Sequence, residues 1–360
     1  MSETATSMSD TGAPAPSEPR STDWRTQIDR ADTASPSSGD LARAREPGRG
    51  READEPSDIP PRGWRDILWR VVLGIPEDRV LATGGGVAFF ILLAFFPGIA
   101  VVVSLYGIFA DASTIGTHLT ILAGILPTGA LDLIRVQIVA ITSKQTQALS
   151  LAFAISFVTA FWSANSGMGA LFDALNVVYG EREKRSLLRF YATTFLFTIG
   201  AVLFLLIALA GVVGLPVALT FMGVSWSAEI VLSVARWPLL LLVVMFGLAL
   251  VYRFGPSRRK AQWQWVSYGS AAAALLWIGA SMMFSWYVAS FDSYNRTYGS
   301  LGAGVGFMVW IWLSVVIVLL GAELNAEMEH QTARDTTTGR EKPLGQRGAT
   351  MADHVGKAQG

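Results

Sequence analysis

The chain has 360 residues, of which 51% are hydrophobic and 16% charged, and its formal net charge at pH 7 is zero. It contains no cysteine, which excludes disulfides, thiolate metal sites and cysteine nucleophiles. The three histidines (His118, His330 and His354) lie far apart and lack the paired spacings of a histidine metal site. We therefore expect neither a bound metal nor another cofactor.

Residues 1–60 are rich in Ser, Thr, Pro, Gly, Asp and Arg. Such a segment has too little apolar surface to offset the entropy lost on ordering, so we predict a disordered tail on the cytoplasmic side. The final segment, 331–360, has the same character and the same prediction. Met1 is followed by polar and small residues without an apolar run, so no cleavable signal peptide is expected.

Residues 63–79, the start of a predicted membrane domain over 63–330, have the pattern of an amphipathic helix. Large apolar residues recur at helical spacing and form a stripe: Trp64, Ile67, Leu68, Val71 and Val72. The charged residues of this segment lie off the stripe. Two interpretations remain open. The helix lies on the cytoplasmic membrane surface with its tryptophans at headgroup level, or it packs beneath the membrane bundle.

Six stretches without Asp, Glu, Lys or Arg follow, each suited to crossing a bilayer. They are Val80–Ala110, Gln145–Phe172, Phe190–Leu219, Trp237–Tyr252, Ala261–Phe291 and Thr297–Ala322. The corresponding predicted spans are 84–110, 146–170, 190–215, 236–254, 264–290 and 299–323. The predicted fold class is an all-α polytopic membrane protein with six transmembrane helices.

The basic residues set the predicted orientation. They number 11 before the first stretch, then 2, 4, 1, 4 and 1 in successive connections, and 5 in the final tail. High and low counts alternate without exception, so the positive-inside rule places both termini in the cytoplasm. The longest outer connection, 111–144, carries two short apolar stripes that fit either a re-entrant helix pair or a simple cap.

Polar residues late in the second span are the first candidate site. Asn165, Ser166, Asp173 and Asn176 are candidates for a polar pathway, because polar groups within a span usually face the bundle interior. The alternative is that they join neighbouring helices through hydrogen bonds and close packing. Both interpretations remain open.

A second candidate site is an ion-pair network at the cytoplasmic end. Glu323 and Glu327 lie on one face of the last span, at the same predicted depth as Arg185 and Arg253. We expect Glu323 to pair with Arg253 or Arg185, and a proton-coupled carboxylate is the alternative. The two glutamates lack an evident nucleophile or metal partner, so we do not expect an enzyme.

The connection before the last span supplies a candidate outer rim. Its polar and aromatic residues are typical of a membrane interface: Asp292, Tyr294, Arg296 and Tyr298. Gly302 and Gly306 follow as a GxxxG pair, which indicates a close-packing face within the chain or between subunits.

The chain resembles the YihY/BrkB family of bacterial inner-membrane proteins over about residues 65–330. The segments that carry this resemblance are Ala88–Pro97, Ala174–Tyr179, Glu181–Arg185, Val251–Arg253, Tyr298–Leu301 and Gly321–Ala326. The chain departs from the family at Tyr268–Ser270, where Pro-Gly-Ala is common. The resemblance implies a six-span helical protein of the bacterial inner membrane. An old ribonuclease label attaches to the family, but no metal constellation or basic nucleic-acid surface supports it here.

These patterns favour a protein that transports or translocates an amphipathic or lipid-like molecule. The bundle is apolar with few charges, and amphipathic segments flank it on both sides. The alternative is a non-catalytic structural or assembly partner in the cell envelope. The expected partners are membrane lipids and either further copies of the chain or an envelope protein, and nucleic acid is not expected.

Overall fold

A computed structural model describes residues 36–109, 146–209, 226–290 and 300–359. The predicted outer connection 111–144 lies outside these ranges. So do the residues of the predicted outer rim, which are Asp292, Tyr294, Arg296 and Tyr298. The described part is helical and has no strand, apart from one isolated bridge between Ala261 and Thr337.

The helices are numbered here in chain order, and a short 3-10 turn, Pro56–Asp58, precedes the second. They are α1 (Ser38–Arg43), α2 (Pro61–Glu77), α3 (Val80–Phe109), α4 (Thr146–Val178), α5 (Leu187–Leu209), α6 (Trp226–Phe254), α7 (Trp263–Ser290), α8 (Ser300–Glu329) and α9 (Thr350–Asp353).

Three stretches of the described chain are long and apolar enough to cross a membrane: Leu187–Ile207, Trp263–Tyr287 and Gly304–Gln331. A fourth candidate is the pair α2 and α3, which bends by 64° at its break. The all-helical membrane class is thereby confirmed. The count of six spans and the side on which the termini lie remain predictions.

Helix α8 is the centre of the bundle and packs against α2, α3, α4 and α7. The outer helices have simpler surroundings, since α5 packs mainly on α4 and α6 mainly on α7. The main core joins Phe172 and Leu175 of α4 to Tyr252 of α6 and Leu319 of α8. Along α4, every buried described side chain lies at Ser163 or beyond, so the packing is tightest toward one end of the bundle.

That end, which we call the tail end, consists of residues 36–79, 179–186, 255–262 and 330–359. Hydrogen bonds join its parts: Ser257 Oγ accepts from the amide of Lys184, and the Glu181 carboxylate accepts from the amide of Thr350. Both terminal segments and the connections after α4 and α6 therefore lie on the same side of the bundle.

The two terminal segments differ from their predicted disorder wherever the structure describes them. Arg51 is buried and donates to the carbonyl oxygens of Gln331 and Gly356, at 3.0 and 2.7 Å. Although burial opposes the effect, hydrogen bonds from Ser37, the Val355 amide and His354 lower the pKa of the Asp40 carboxyl to about 2. These bonds offset the entropy of ordering, and composition alone does not reveal them. Residues 1–35 lie outside the description.

Helix α2 combines the two interpretations of its sequence. Ile67 is fully buried, in a small core with Trp265 and Met328, so the helix packs beneath the bundle. Leu68 and Val72, from the same predicted stripe, are more than half exposed and face away from the protein. Such an exposed apolar face suits contact with lipid.

The contact between α7 and α8 depends on glycine. Gly269 of α7 donates its amide to Asn325 Oδ1 of α8 at 2.8 Å. A Cβ atom at Gly269 would overlap the Gly321 carbonyl oxygen and the Asn325 side chain. Small residues permit this close approach, which matters in lipid because apolar burial contributes little to helix association there.

We predict that Gly269→Ala lowers the stability of the protein in detergent by about 1–3 kcal/mol, because the methyl group forces the two helices apart. The matched control is Gly279→Ala on the same helix, where a Cβ meets nothing within 4 Å. The control should leave the melting temperature unchanged or raise it slightly, because Ala favours a helix over Gly. Equal effects of the two substitutions would contradict the packing explanation.

Candidate functional site

Three buried carboxylates crowd the last two turns of α8, and we call them the acidic end. Glu323, Glu327 and Glu329 are exposed by 2%, 7% and 0%. The C-terminus of a helix carries partial negative charge, so the helix itself does not stabilise them. A buried charge needs a partner, and Glu327 and Glu329 pair with two different arginines.

Glu327 pairs with Arg70 of α2. The same guanidinium donates to Gln331 Oε1 at 2.7 Å and to the Lys357 carbonyl oxygen at 3.0 Å. His330 Nδ1 lies 3.3 Å from the Glu327 carboxylate. One arginine of α2 thus holds α8 and the final segment of the chain together.

Glu329 pairs with Arg258, from the connection between α6 and α7, through two hydrogen bonds of 2.8 and 2.7 Å. Both side chains are fully buried. Thr336 donates a third bond to Glu329 at 2.9 Å, and the Arg258 guanidinium lies 4.1 Å from the centre of the Tyr179 ring. This pair ties the α6–α7 connection to the end of α8.

The Glu323 carboxylate lies against the last turn of α2. Its Oε2 atom is buried and has no hydrogen-bond partner among the described residues. Gly74 lies directly over the carboxylate, which a Cβ at that position would overlap.

The predicted pairing of Glu323 with Arg253 or Arg185 is therefore wrong. Arg185 instead pairs with Glu183 at 2.7 Å and donates to the Gly255 carbonyl oxygen. Arg253 lies with its guanidinium 4.2 Å from the centre of the Trp263 ring. The sequence placed these residues at the same depth in the membrane, but it did not reveal toward which neighbouring helix each side chain points.

Asn176 joins segments of the protein through hydrogen bonds and does not line an open path. Its Oδ1 accepts from the Ser257 amide at 2.7 Å, and its Nδ2 donates to Glu183 at 3.1 Å. Although burial opposes the effect, the bonds from Arg185 and Asn176 lower the pKa of the Glu183 carboxyl to about 2. Asn176 thus joins α4 to two connections at the tail end.

The other members of the predicted polar pathway are dispersed. Asp173 is exposed, and Ser166 donates to the Trp162 carbonyl oxygen of its own helix. Asn165 faces α5, where its Oδ1 accepts from the Thr198 hydroxyl at 3.5 Å. The structure does not bring the four predicted residues into one groove.

Asn165 belongs to a different polar feature, the α4–α5 seam, formed by Asn165 of α4 and Thr194 and Thr198 of α5. Thr194 and Thr198 are buried, at 0% and 2% exposure, and Asn165 is partly buried. We did not single out the threonines in the sequence. The sequence signal that could have revealed them is their spacing, since two threonines four residues apart lie on the same face of an apolar helix.

A family model described as virulence factor BrkB matches residues 71–345. The chain belongs to the virulence factor BrkB family. This match confirms the resemblance seen in the sequence.

Relatives of this BrkB-family chain include YfkH of Bacillus subtilis, whose name calls it ribonuclease-like. It is 32% identical over 247 residues, which are 66% of this chain and 86% of YfkH. Two proteins named UPF0761 membrane protein, from Vibrio atlanticus and Cronobacter sakazakii, are each 28% identical. They match 71% and 74% of this chain over 80% and 88% of their own lengths. No solved structure matches the chain.

We predict that Glu329→Gln destabilises this BrkB-family protein by roughly 3–5 kcal/mol, because Arg258 then remains buried without its counter-charge. The control is Asp54→Asn, which removes a mostly exposed partner of Arg334 and should cost about 1 kcal/mol or less. Chemical denaturation in mild detergent measures both. A Glu329→Gln protein as stable as the control would show that the buried pair contributes little.

Proposed function

We propose that this BrkB-family protein lies in the bacterial inner membrane and lets an amphipathic, lipid-like molecule cross it. The polar headgroup would move along the α4–α5 seam while the apolar chains stay in the bilayer. The tail end would face the cytoplasm. The main support is the seam itself: two buried threonines of α5 beside the partly buried Asn165 of α4, between two helices whose outer surfaces are apolar.

The surroundings of α5 favour this proposal. Only 11% of its apolar stretch Leu187–Ile207 is buried by protein, so most of the helix faces lipid. Its buried positions include the polar Thr194 and Thr198, which point toward α4. A lipid-facing helix with its polar side turned inward presents a polar strip that reaches the edge of the bundle.

The physical argument concerns the barrier to headgroup transfer. Moving a polar group through hydrocarbon costs several kcal/mol when it has no hydrogen-bond partner. Hydroxyl and amide groups along a seam offer such partners. A hydrogen bond between membrane helices contributes only about 0.6 kcal/mol on average, so parting α4 from α5 costs little.

The test is lipid scrambling by the full-length protein in vesicles that carry a headgroup-labelled fluorescent phospholipid. Adding a membrane-impermeant quencher should extinguish nearly all of the fluorescence if lipids cross, and about half if they do not. Thr198→Val and Asn165→Leu should each slow scrambling severalfold, because they remove seam partners. Thr193→Val is the matched control, since Thr193 is less buried than the seam threonines and donates to the Arg189 carbonyl oxygen of its own helix.

Two outcomes would contradict the proposal. Protein-containing vesicles that scramble no faster than empty vesicles would favour the alternative, a structural or assembly partner in the envelope. Equal activity per folded molecule in wild type and in both seam variants would show that the seam only joins helices. Thermal melts of the same samples separate lost activity from lost folding.

The proposed orientation is testable because the chain has no native cysteine. Ser186 is exposed in the connection between α4 and α5, so Ser186→Cys should react with a membrane-impermeant thiol reagent only after cells are permeabilised. Ser293→Cys, in the predicted outer connection, should react in intact cells. Labelling of Ser186→Cys in intact cells would reverse the orientation.

A further inference from the structure

We propose that one acidic phospholipid binds this BrkB-family protein where α6 ends and α7 begins. Its phosphate would contact Arg253 and Lys260, and an acyl chain would lie along α6. The site uses other residues than the α4–α5 seam, and binding there does not require that the protein transports lipid.

The first observation is that Arg253, in the last turn of α6, lacks an acceptor for its guanidinium. Its Nε and Nη1 atoms are buried, and neither has a hydrogen-bond partner among the described residues. An arginine side chain has five N–H donors and stays charged at any physiological pH. The protein thus leaves a charged donor group here for an acceptor from outside.

Other arginines of the tail end differ from Arg253. Five of them donate to carboxylate, amide or carbonyl oxygens of the protein: Arg51, Arg70, Arg185, Arg258 and Arg347. The Arg253 guanidinium instead lies 4.2 Å from the centre of the Trp263 ring. An aromatic ring attracts the charge but does not replace the oxygen acceptors. Since no described hydrogen bond fixes Nε or Nη1, rotation of the side chain can turn them toward a ligand at little cost.

A second cation lies beside the first. The centre of the Phe254 ring is 5.6 Å from the Arg253 guanidinium and 4.7 Å from Lys260 Nζ. Lys260 is exposed and Arg253 is partly exposed, so both reach the surface. Within the described part of the chain, neither forms a salt bridge with a carboxylate. Two cations without a counter-charge favour a headgroup with net negative charge over one that is neutral overall.

The neighbouring residues place these cations at the level of lipid headgroups. Trp263 begins the apolar stretch Trp263–Tyr287, and tryptophan is typical of the interface between membrane and water. The ring of Phe246, on α6, stacks on that of Trp263 with their centres 6.1 Å apart. Position 253 therefore lies where α6 leaves the apolar part of the membrane.

An exposed apolar row on α6 identifies the ligand as a lipid. Phe246, Leu242 and Leu239 recur at helical spacing away from Arg253, and they are exposed by 57%, 60% and 62%. An acyl chain can lie along this row while its phosphate contacts the two cations. Inorganic phosphate would use the cations but not the row.

The first experiment is native mass spectrometry of the full-length protein in mild detergent. The protein is titrated with phosphatidylglycerol, which is acidic, or with phosphatidylcholine of the same acyl chains, which is neutral overall. The first phosphatidylglycerol should bind about tenfold more tightly, because hydrogen bonds between charged groups contribute affinity of that order. Equal affinity of the wild type for the two lipids would overturn the proposal.

Substitutions locate the bound lipid. Arg253→Gln should reduce the affinity for phosphatidylglycerol to that for phosphatidylcholine. The matched control is Arg189→Gln, which removes an exposed arginine at the start of α5 and should keep the preference. Equal losses in the two variants would show that only overall charge matters and would overturn the site.

Thermal melts without added lipid test the fold of these variants. Arg253→Gln should melt as the wild type does, because no described hydrogen bond from Nε or Nη1 is lost. If it melts lower, Lys260→Gln provides the test, since Lys260 is exposed. Lys260→Gln should then lower the affinity for phosphatidylglycerol severalfold at an unchanged melting temperature. An unchanged affinity in that variant would overturn the proposal.

The last experiment distinguishes a lipid from free phosphate. An excess of inorganic phosphate should leave phosphatidylglycerol bound, because phosphate does not contact the apolar row. Phe246→Ala should weaken lipid binding severalfold, whereas Leu275→Ala, at an exposed position of α7, should not. Displacement by inorganic phosphate, together with equal effects of the two substitutions, would show an anion site without a lipid and overturn the assignment.

Discussion

The buried acidic end of α8 is the constraint on which the rest of this structure depends. Three carboxylates within seven residues are removed from water at the negative end of a helix dipole, where none of them is stable alone. Arg70 from α2 neutralises Glu327, Arg258 from the α6–α7 connection neutralises Glu329, and Glu323 packs against Gly74 of α2. The two arginines come from different segments, so neutralising the glutamates fixes where α2 and the α6–α7 connection lie.

Different interactions thus stabilise the tail end and the contacts between the helices. At the tail end, buried ion pairs and arginine bonds to carbonyl oxygens order segments whose composition suggests disorder. Between the helices, where lipid removes most of the hydrophobic driving force, close approach at Gly269 and the polar α4–α5 seam perform the same task. The proposed function follows this division, with a polar path between two helices whose outer surfaces are apolar.

The sequence predicted the class of the protein well and the pairing of its charges poorly. Absence of charge over long stretches indicated membrane helices, and local motifs indicated the family that the family model then confirmed. Glu323 and Glu327 were identified as important, but Glu323 was assigned to Arg253 or Arg185. Arg70 was overlooked as a partner because it is 257 residues away from Glu327. The threonines of the seam were missed because each alone looks unremarkable in an apolar span.

The sequence by itself determined that the chain is helical and enters a membrane, because transfer of apolar side chains into lipid is a sum over local residues. The sequence also identified glutamates that need a partner, since a carboxylate beside an apolar span costs free energy to remove from water whichever way it points. Only the tertiary structure decided that Glu327 meets Arg70, that Asn165 meets Thr198 and that the two tails meet each other. Those contacts depend on the rotation of each helix about its axis and on the path of distant segments, which are set by packing over the whole chain.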